Sequence, residues 1–449
     1  MYEGAIKYMN NQEQQHRTIA VIGLGFVGLP LSMLLISKGF SVIGIDLDET
    51  KIKSLKAGNS YISDIKGETI KSAITSGSFR PDADYGLIRK AEAVIICVPT
   101  PLDDESAPNL DYVTKAAESI REHLQKGQLV VLESSTYPGT TKDLVKPILE
   151  KSGLVCGKDF YLAYSPERVD PGNKFPIEVV PKVVGGATDA CRDQVYQLYT
   201  SIYQEVVPVT SPETAELTKL LENTYRFINI SFINEFAMIC DKLGVDVWEV
   251  IRAASTKPYG FAAFYPGPGI GGHCIPVDPL YLQFIIGKKG ISSDFIRLSE
   301  EMNERIVRYI AERSLQLAQK ENTTEANILI YGVTYKRNVA DVRESKSLDI
   351  IEKLVGTGAE VSYHDPHVPE LRIGGKTFFS QPINSETLKD YDCIVILTDH
   401  AELPKELLLQ YAKVIFDTRG ILTDSSGNAK VVQLGNGLSQ PCHPSAENE

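Results

Sequence analysis

The sequence predicts an α/β protein with two doubly wound parallel sheets and a long helical region between them. Three observations lead to this prediction. Short β-branched runs alternate with helix-compatible segments from residue 18 to about residue 208. A continuous helical pattern of about thirty residues follows. The alternation of strands and helices then returns after about residue 322, which is typical of a further α/β domain.

The first predicted strand leads into a dinucleotide-binding pattern. It is followed at once by Gly-Leu-Gly-Phe-Val-Gly (residues 23–28), then by an apolar helix, a second strand and Asp46. In such a turn Gly23 permits the bend, Gly25 admits a pyrophosphate at the helix N-terminus, and Gly28 lets helix and strand pack closely. A carboxylate about twenty residues farther on accepts ribose hydroxyls and repels a 2′-phosphate. Asp46 therefore predicts NAD rather than NADP as the cofactor.

Polar residues follow two further predicted strands of the same domain. Residues 93–98 lead to Thr100, and residues 129–132 lead to Ser135 and Thr136. Loops at the carboxyl ends of parallel strands are where such sheets bind ligands. These three side chains are therefore candidate contacts for cofactor or substrate, and helix capping is the alternative interpretation.

Composition excludes several functional classes. The chain has 449 residues, a net charge of −12 and a sequence pI of 5.3, which argue against a binder of nucleic acid or of anionic membranes. The sequence has no apolar run long enough to span a bilayer, and residues 1–17 lack the apolar stretch of a secretory signal. Seven scattered cysteines without close pairing fit reduced thiols and no metal site. We therefore expect a cytoplasmic protein.

The long helical pattern begins at Ser211-Pro212, a favourable helix start, and carries apolar residues at helical spacing as far as Leu243. A helix of that length spans about 45 Å, so it bridges domains or packs against a second subunit. The second predicted sheet lacks the glycine pattern of the first, which leaves a different nucleotide or a simple packing role open.

We predict five regions: a polar extension (1–16), a first α/β domain (17–208), a helical region (209–320), a second α/β domain (321–435) and a loose tail (436–449).

A glycine-rich loop carries one cysteine at residue 274. Residues 267–272 contain four glycines, His273 precedes the cysteine, and Asp278 follows four residues later. Glycines in such a loop leave room for a ligand against the backbone, and a thiol of lowered pKa there can act as a nucleophile. Taken alone, the same cysteine fits an inert structural residue.

With these motifs in order, the chain resembles the nucleotide-sugar 6-dehydrogenases, the UDP-glucose/GDP-mannose dehydrogenase family, over almost its whole length. The segments that carry the resemblance are residues 134–141, 164–173, 257–261 and 264–269. The glucose and mannose branches usually have Gly-Gly-Ser-Cys followed by Pro-Lys-Asp. Here the loop has Gly-Gly-His-Cys, with Val277 in place of the lysine. The resemblance is therefore strongest to the branch that oxidises UDP-N-acetylglucosamine.

The resemblance implies two Rossmann-like domains, one for NAD and one for the UDP-sugar, joined by a central helical dimerisation region. It implies four-electron oxidation of the C6 hydroxyl of UDP-N-acetylglucosamine to the uronic acid, through a cysteine thiohemiacetal and thioester, to supply surface polysaccharide precursors. Alternatives are the N-acetylmannosamine, N-acetylgalactosamine or glucose substrates, a two-electron hydroxyacid-type dehydrogenase, or a non-catalytic NAD-binding scaffold or sensor. The implied partners are the UDP-sugar and a second copy of the chain.

The resemblance also assigns roles to residues. Cys274 is the expected nucleophile, Lys219 and Asn223 donate hydrogen bonds to the oxyanion, Asp278 holds Lys219 or a water, and Glu167 acts on the hydrolytic water. Thr136 completes the catalytic set. The expected cofactor contacts are Gly23, Gly25, Phe26, Val27, Gly28, Asp46, Pro99, Thr100, Ser135 and Thr136. The expected substrate contacts are Glu167, Arg168, Lys219, Asn223, Phe264, Tyr265, Gly271, Lys336 and Arg419.

Overall fold

A computed structural model describes residues 17–62, 65–103, 107–168, 176–272, 274–318, 326–423 and 427–437. The predicted N-terminal extension, nearly all of the predicted tail and His273 lie outside the described residues. The chain forms two compact units. The first comprises Met1–Glu222 and Leu280–Ile291, and the second comprises Asn223–Pro279 and Ser292–Glu449.

The first unit contains an eight-stranded sheet with the order β3-β2-β1-β4-β5-β6-β7-β8. Its strands are β1 (Thr18–Ile22), β2 (Ser41–Ile45), β3 (Phe79–Asp82), β4 (Ala93–Ile96), β5 (Leu129–Leu132), β6 (Tyr161–Tyr164), β7 (Lys182–Gly186) and β8 (Val206–Val209). Neighbouring strands are parallel except for β6 and β7, which pair antiparallel. The reversal of strand order between β1 and β4 is the point where a doubly wound sheet opens a ligand crevice.

Helices cover both faces of this sheet, where two hydrophobic clusters are buried. The helices are α1 (Gly28–Ser37), α2 (Glu49–Lys56), α3 (Gly67–Thr75), α4 (Asp111–Arg121), α5 (Lys146–Glu150) and α6 (Asp189–Thr200). Side chains cap two of them, because Asp48 accepts hydrogen bonds at the start of α2 and Thr188 does so at α6. The central strands are apolar along their whole length, as expected for a sheet that is buried on both faces.

Two helices, α7 (Pro212–Leu243) and α9 (Asp278–Gly287), have residues in both units. The 32 residues of α7 match the predicted long helix. The remaining helices lie in the second unit: α8 (Val247–Ala254), α10 (Asp294–Leu317), α11 (Lys346–Gly356) and α12 (Lys405–Tyr411). No helix among the described residues is long and apolar enough to cross a membrane.

The second unit contains a five-stranded, fully parallel sheet with the order β10-β9-β13-β14-β15. Its strands are β9 (Asn327–Tyr331), β10 (Glu360–His364), β13 (Cys393–Ile396), β14 (Val414–Asp417) and β15 (Lys430–Gln433), and a separate hairpin joins β11 (Glu370–Ile373) to β12 (Lys376–Phe379). The order reverses between β9 and β13, so this sheet is also doubly wound. The predicted fold class of two Rossmann-like parallel-sheet domains is confirmed.

Several elements were not predicted. The strand β3 contains a proline and two charged residues, and β8 also contains a proline. Both are edge strands, where proline is tolerated because one side of the strand needs no hydrogen-bonding partner. The antiparallel pairing of β6 and β7 was also not foreseen. It places Lys182, the first residue of β7, beside the end of β6.

The start of α7 is fastened to the loop after β5 by the buried Glu216. Its carboxylate accepts hydrogen bonds from the Gly139 N–H at 2.7 Å, the Thr141 N–H at 2.9 Å and the Thr141 hydroxyl at 2.6 Å. Gly139 has a φ of 101°, a conformation that favours glycine. Burial raises the pKa of Glu216 to about 7 against the effect of these hydrogen bonds.

We expect Glu216→Gln to lower the melting temperature. The amide group would turn an N–H toward either the Gly139 or the Thr141 donor, and an unsatisfied buried donor costs about 1–3 kcal/mol. Differential scanning fluorimetry measures the change. Glu213→Gln is the matched control, since Glu213 lies on the same helix but forms a partly exposed ion pair with Lys142, a kind of pair that contributes about 1 kcal/mol or less. Equal losses in the two variants would contradict the role of Glu216.

Candidate active site

The turn after β1 is held to the end of β2 by Asp46. Its carboxylate accepts hydrogen bonds from the Leu24 N–H and the Asp48 N–H, both at 2.9 Å, and lies 3.4 Å from the Lys51 ammonium. A Cβ atom on Gly28 would lie 1.9 Å from the Gly23 carbonyl oxygen, so helix and turn meet more closely than any side chain permits. The predicted glycine–acid pattern thus forms one contiguous structure.

The residues present fit a dinucleotide. A Cβ atom on Gly25 would have no neighbour within 4 Å, so the space beside the backbone at the start of α1 is open. Phe26 is exposed beside it, and Val27 is half-buried. Pro99 and Thr100 follow β4, the strand next to β1 in the sheet, and the Tyr281 hydroxyl donates to the Thr100 carbonyl. These residues could hold the phosphates and ribose of NAD.

The loop after β5 meets α7 through one hydrogen bond. The ammonium of Lys219 donates to the Ser135 hydroxyl at 2.7 Å. Thr136 is buried and donates to the Thr140 hydroxyl at 2.5 Å. Lys219 itself is 6% exposed. The structure therefore brings three predicted site residues, Lys219, Ser135 and Thr136, to one place in the first unit.

The loop after β6 carries Glu167 and Arg168 in different surroundings. The Glu167 carboxylate lies 3.2 Å from the ammonium of Lys182. The Arg168 guanidinium donates to both oxygens of Glu222, at 2.6 and 3.2 Å, and to the Pro181 carbonyl at 2.7 Å. Arg168, which we predicted to contact substrate, thus has structural partners on three of its nitrogen atoms.

In the second unit, Asn223 of α7 donates to Asp278 at 2.5 Å, and Asp278 is 1% exposed. The Asp278 N–H donates in turn to the Cys274 carbonyl at 2.8 Å, which begins a helical turn at the cysteine. Cys274 is exposed. Hydrogen bonds therefore join three predicted catalytic residues, Asn223, Asp278 and Cys274, and the Cys274 thiol is accessible to a ligand.

Two buried asparagines hold the glycine-rich loop that precedes Cys274. Asn234 accepts from the Gly267 N–H at 2.9 Å, and Asn303 accepts from the Ile270 N–H at 2.6 Å while donating to the Ile270 carbonyl. Loop backbone that is buried needs such acceptors. These amides fix the path of the loop that leads to the thiol.

The same loop packs directly against the segment after β9. A Cβ atom on Gly271 would lie 2.4 Å from the Glu344 carbonyl oxygen, and one on Gly272 would lie 2.7 Å from the ring of Tyr335. These two glycines therefore allow the loop to pack closely against another segment of the protein.

Basic residues gather where the strand order of the second sheet reverses. Asp399, after β13, lies 3.5 Å from the Arg337 guanidinium and 3.4 Å from the Arg419 guanidinium. Arg419 follows β14 and also lies against Gly267, since a Cβ atom there would be 2.6 Å from its Nη1 atom. Lys336 is half-buried in the loop after β9. This crevice offers several cationic groups to an anionic ligand.

Aromatic side chains line the segment before the cysteine loop. Tyr265 is 57% exposed, and its ring stacks on Trp248 with 6.2 Å between the ring centroids. Phe264 meets the ring of Tyr225 edge-on at 5.9 Å. The two predicted substrate contacts therefore face different partners within the second unit.

Arg343 lies near Cys274, although the sequence assigned it no role. The Asp341 carboxylate hydrogen-bonds Arg343 and raises the pKa of that guanidinium, and negative charge on Cys274 adds a smaller effect in the same direction. A guanidinium near a thiol favours the thiolate. Arg343 lies in a segment rich in charged residues, but nothing local in the sequence indicated its proximity to a cysteine about seventy positions earlier.

The described residues include one group with the spacing of metal ligands, formed by His367, His400 and Glu402. The Nδ1 atom of His400 accepts the Asn338 N–H at 3.0 Å, which leaves Nε2 as the protonated nitrogen, 3.0 Å from Asp365. Both nitrogens are thus used in holding the loop that carries Lys336. We interpret His400 as a structural residue.

The glycine turn of the first unit, and the cationic crevice and accessible cysteine of the second unit, are the features expected of an NAD-dependent oxidoreductase that has a further nucleotide-binding domain. Models of the UDP-glucose/GDP-mannose dehydrogenase family match the chain at the NAD-binding domain (residues 17–204), the central domain (213–305) and the UDP-binding domain (329–424). The chain belongs to this family of nucleotide-sugar 6-dehydrogenases.

Individual relatives extend the match over nearly the whole chain. A UDP-N-acetyl-D-mannosamine dehydrogenase of Methanococcus maripaludis is 36% identical, over 94% of this chain and 97% of its own. A UDP-N-acetyl-D-glucosamine 6-dehydrogenase of Pseudomonas aeruginosa is 32% identical, over 92% of this chain and 99% of its own. A solved UDP-D-ManNAc dehydrogenase structure from Pyrococcus horikoshii is 31% identical, has a TM-score of 0.84, and covers 94% of this chain and 99% of its own.

We expect Asp46→Ser to shift cofactor preference toward NADP. The variant loses an ionised acceptor for the ribose hydroxyls, and it retains the Lys51 ammonium, which lies 3.4 Å from Asp46 and would attract a 2′-phosphate. A hydrogen bond to a charged group contributes about 1.5–3 kcal/mol, so the ratio of kcat/KM for NAD to that for NADP should fall about tenfold to a hundredfold. Steady-state kinetics with both cofactors measure this ratio. The control Asp48→Ser, which replaces the capping carboxylate of α2 with a neutral capping hydroxyl, should leave the ratio unchanged. An unchanged ratio in Asp46→Ser would exclude the ribose role.

Proposed function

We propose that this protein oxidises the C6 hydroxyl of a UDP-N-acetylhexosamine to the carboxylate with two molecules of NAD. The observation that carries the proposal is the accessible Cys274 thiol at the start of a helical turn whose Asp278 is hydrogen-bonded to Asn223. A two-electron alcohol dehydrogenase has no need of a nucleophilic thiol, whereas oxidation to an acid requires the aldehyde to be held and activated.

The overall reaction balances as one alcohol, two NAD and one water giving one carboxylate, two NADH and three protons. When bound, NAD supplies the acceptor for each hydride. The Cys274 thiolate adds to the aldehyde carbon to form a thiohemiacetal, which is oxidised to a thioester. Water then attacks the thioester carbon, and the carbon–sulfur bond breaks to release the thiolate.

Polar side chains supply the remaining steps. Lys219 and Asn223, one helical turn apart on α7, donate hydrogen bonds to the oxyanion that forms at C6. Asp278 orients the Asn223 amide, and Thr136 lies in the loop whose Ser135 hydroxyl accepts from Lys219. Glu167 accepts a proton from the hydrolytic water.

The UDP moiety is assigned to the crevice of the second sheet. Lys336 and Arg419 offer cationic groups to the diphosphate, and the backbone of Gly271 is the proposed contact for the sugar. Phe264 and Tyr265 provide apolar surface beside that loop. Arg168 contributes indirectly by holding the Glu167 loop to Glu222, since its guanidinium is already bonded there.

The sugar is an N-acetylhexosamine rather than glucose, because Val277 stands where the glucose branch has a lysine. Sequence motifs favoured the gluco epimer. Four relatives at 36–37% identity are named for UDP-N-acetylmannosamine, which supports the manno epimer as the first candidate and the gluco epimer as the second.

A panel of UDP-sugars with NAD tests this function. We expect two NADH per sugar, and a kcat/KM for one UDP-N-acetylhexosamine at least about tenfold above that for UDP-glucose. Absorbance of NADH and mass analysis of the uronate give both numbers. Cys274→Ser is the control and should lose the four-electron product, because a hydroxyl is a far weaker nucleophile at neutral pH. One NADH per substrate would indicate a hydroxyacid-type dehydrogenase, and preference for UDP-glucose would exclude the proposed branch.

We also propose that the chain forms a homodimer through α7. Exposed apolar residues follow one another along this helix at spacings of four or seven: Leu217, Leu221, Tyr225, Phe232, Ile239 and Leu243. A stripe of this kind on a helix surface fits the same stripe on a second copy, since two-fold interfaces are self-complementary.

We expect Phe232→Glu combined with Leu243→Glu to convert the dimer to a monomer. Charges buried in an apolar interface are strongly unfavourable. Light scattering coupled to gel filtration gives the mass directly. Val155→Glu is the matched control, because Val155 is an exposed apolar residue outside α7. A dimer that survives the double substitution would place the interface elsewhere.

A further inference from the structure

Three ionisable side chains meet in the interior of the first unit, and the chemistry above uses only one of them. The ammonium of Lys182 lies 2.9 Å from the Glu133 carboxylate and 3.2 Å from the Glu167 carboxylate. The Tyr199 hydroxyl donates to the other oxygen of Glu133. The ring of Tyr203 lies 5.3 Å from the same ammonium.

The sheet topology explains why these residues meet. Glu133 follows the last residue of β5, and Glu167 lies in the loop after β6. Because β7 runs antiparallel to β6, its first residue, Lys182, lies at the edge where β5 and β6 end. A parallel β7 would have put its last residue there instead.

Burial sets the energetics of this cluster. Burial acts against the charged ammonium, but the carboxylates of Glu133 and Glu167 outweigh it and hold the pKa of Lys182 well above its usual range. Burial raises the pKa of Glu133, and the charge of Lys182 opposes this rise. Removal of the cation would leave two carboxylates facing each other in the interior, a strongly destabilising change.

The three side chains form a graded series from interior to surface. Side-chain exposure is 0% for Glu133, 4% for Lys182 and 11% for Glu167. The negative charge of Glu133 is enough to balance the positive charge of Lys182. The second, longer contact of Lys182 is with Glu167, the more accessible carboxylate. Glu167 follows β6, and the carboxyl ends of parallel strands are where such sheets bind ligands.

We infer that Lys182 is a positioning residue for thioester hydrolysis, because its ion pair with Glu167 orients that carboxylate toward the hydrolytic water. The inference rests on the proposed function. In this step water attacks the thioester carbon, one water proton passes to Glu167, and the Cys274 thiolate leaves. Lys182 touches none of the reacting atoms.

Four variants separate positioning from a purely structural role. Glu133→Gln removes one carboxylate but keeps the pair of Lys182 and Glu167, so it is the matched control. Lys182→Met removes the cation and leaves two buried carboxylates. The double variant Glu133→Gln/Lys182→Met removes a carboxylate and the cation together, so that folding should be restored while Glu167 loses its contact with the Lys182 ammonium. Glu167→Gln is the reference for blocked hydrolysis.

Each full-length variant is mixed with NAD and the UDP-N-acetylhexosamine that the wild type oxidises fastest. Melting temperature, the initial burst of NADH and intact mass are measured together. In the double variant we expect a normal burst, a sugar adduct on Cys274 and steady-state turnover reduced about 100-fold, as expected when a catalytic group is misplaced by about 1 Å. Glu133→Gln should keep turnover within about threefold of the wild type, without an adduct.

Two results would overturn the inference. Normal turnover without an adduct in a folded double variant would make Lys182 a structural ion-pair partner only. Loss of the NADH burst in that variant would mean that Lys182 serves an earlier step or the fold. Failure of the underlying function is visible separately, because the wild type would then release one NADH or none per sugar and Glu167→Gln would form no adduct.

Discussion

Backbone N–H groups in the loops that end the strands of each sheet depend on buried side-chain acceptors. Such loops leave donors that no strand can satisfy. Glu216 accepts two backbone N–H groups of the loop after β5. Asp365 accepts the N–H of Val333, after β9, and Asp417 accepts three backbone N–H groups after β14. Asn303 does the same for the glycine-rich loop. The positions of the proposed site residues follow from these contacts, because each of these loops carries or adjoins one of them.

Much of the fold follows from local patterns in the sequence. The turn at residues 23–28, the apolar strands and the 32-residue helix each have a period or motif that can be recognised within a short window. The edge strands β3 and β8 lack this signal, because prolines and charges are tolerated where a strand has only one neighbour. The direction of β7 has no local signal at all, since it depends on the path of the chain between β6 and β7.

The candidate site could be predicted only in part, for a related reason. Cys274, Asn223 and Asp278 were named from motifs, and the structure joins them through hydrogen bonds. Lys182 and Arg343 were not assigned roles, because Glu133 lies about fifty positions from Lys182 in the chain and Cys274 lies about seventy positions from Arg343. Arg168 was assigned to substrate, but its guanidinium is bonded to Glu222 and Pro181. Residue type indicated a charge at that position and could not indicate its partner.

The carboxylate of Asp399 between Arg337 and Arg419 has a thermodynamic consequence for ligand binding. Both guanidinium groups lie within 3.5 Å of this carboxylate, and such a contact restricts the conformational freedom of their side chains. Less entropy would then be lost on binding of the proposed diphosphate ligand. The heat released would also be smaller, because new ionic contacts would replace existing ones rather than form from hydrated groups. Affinity for that ligand would therefore depend on preorganisation as well as on the number of charges.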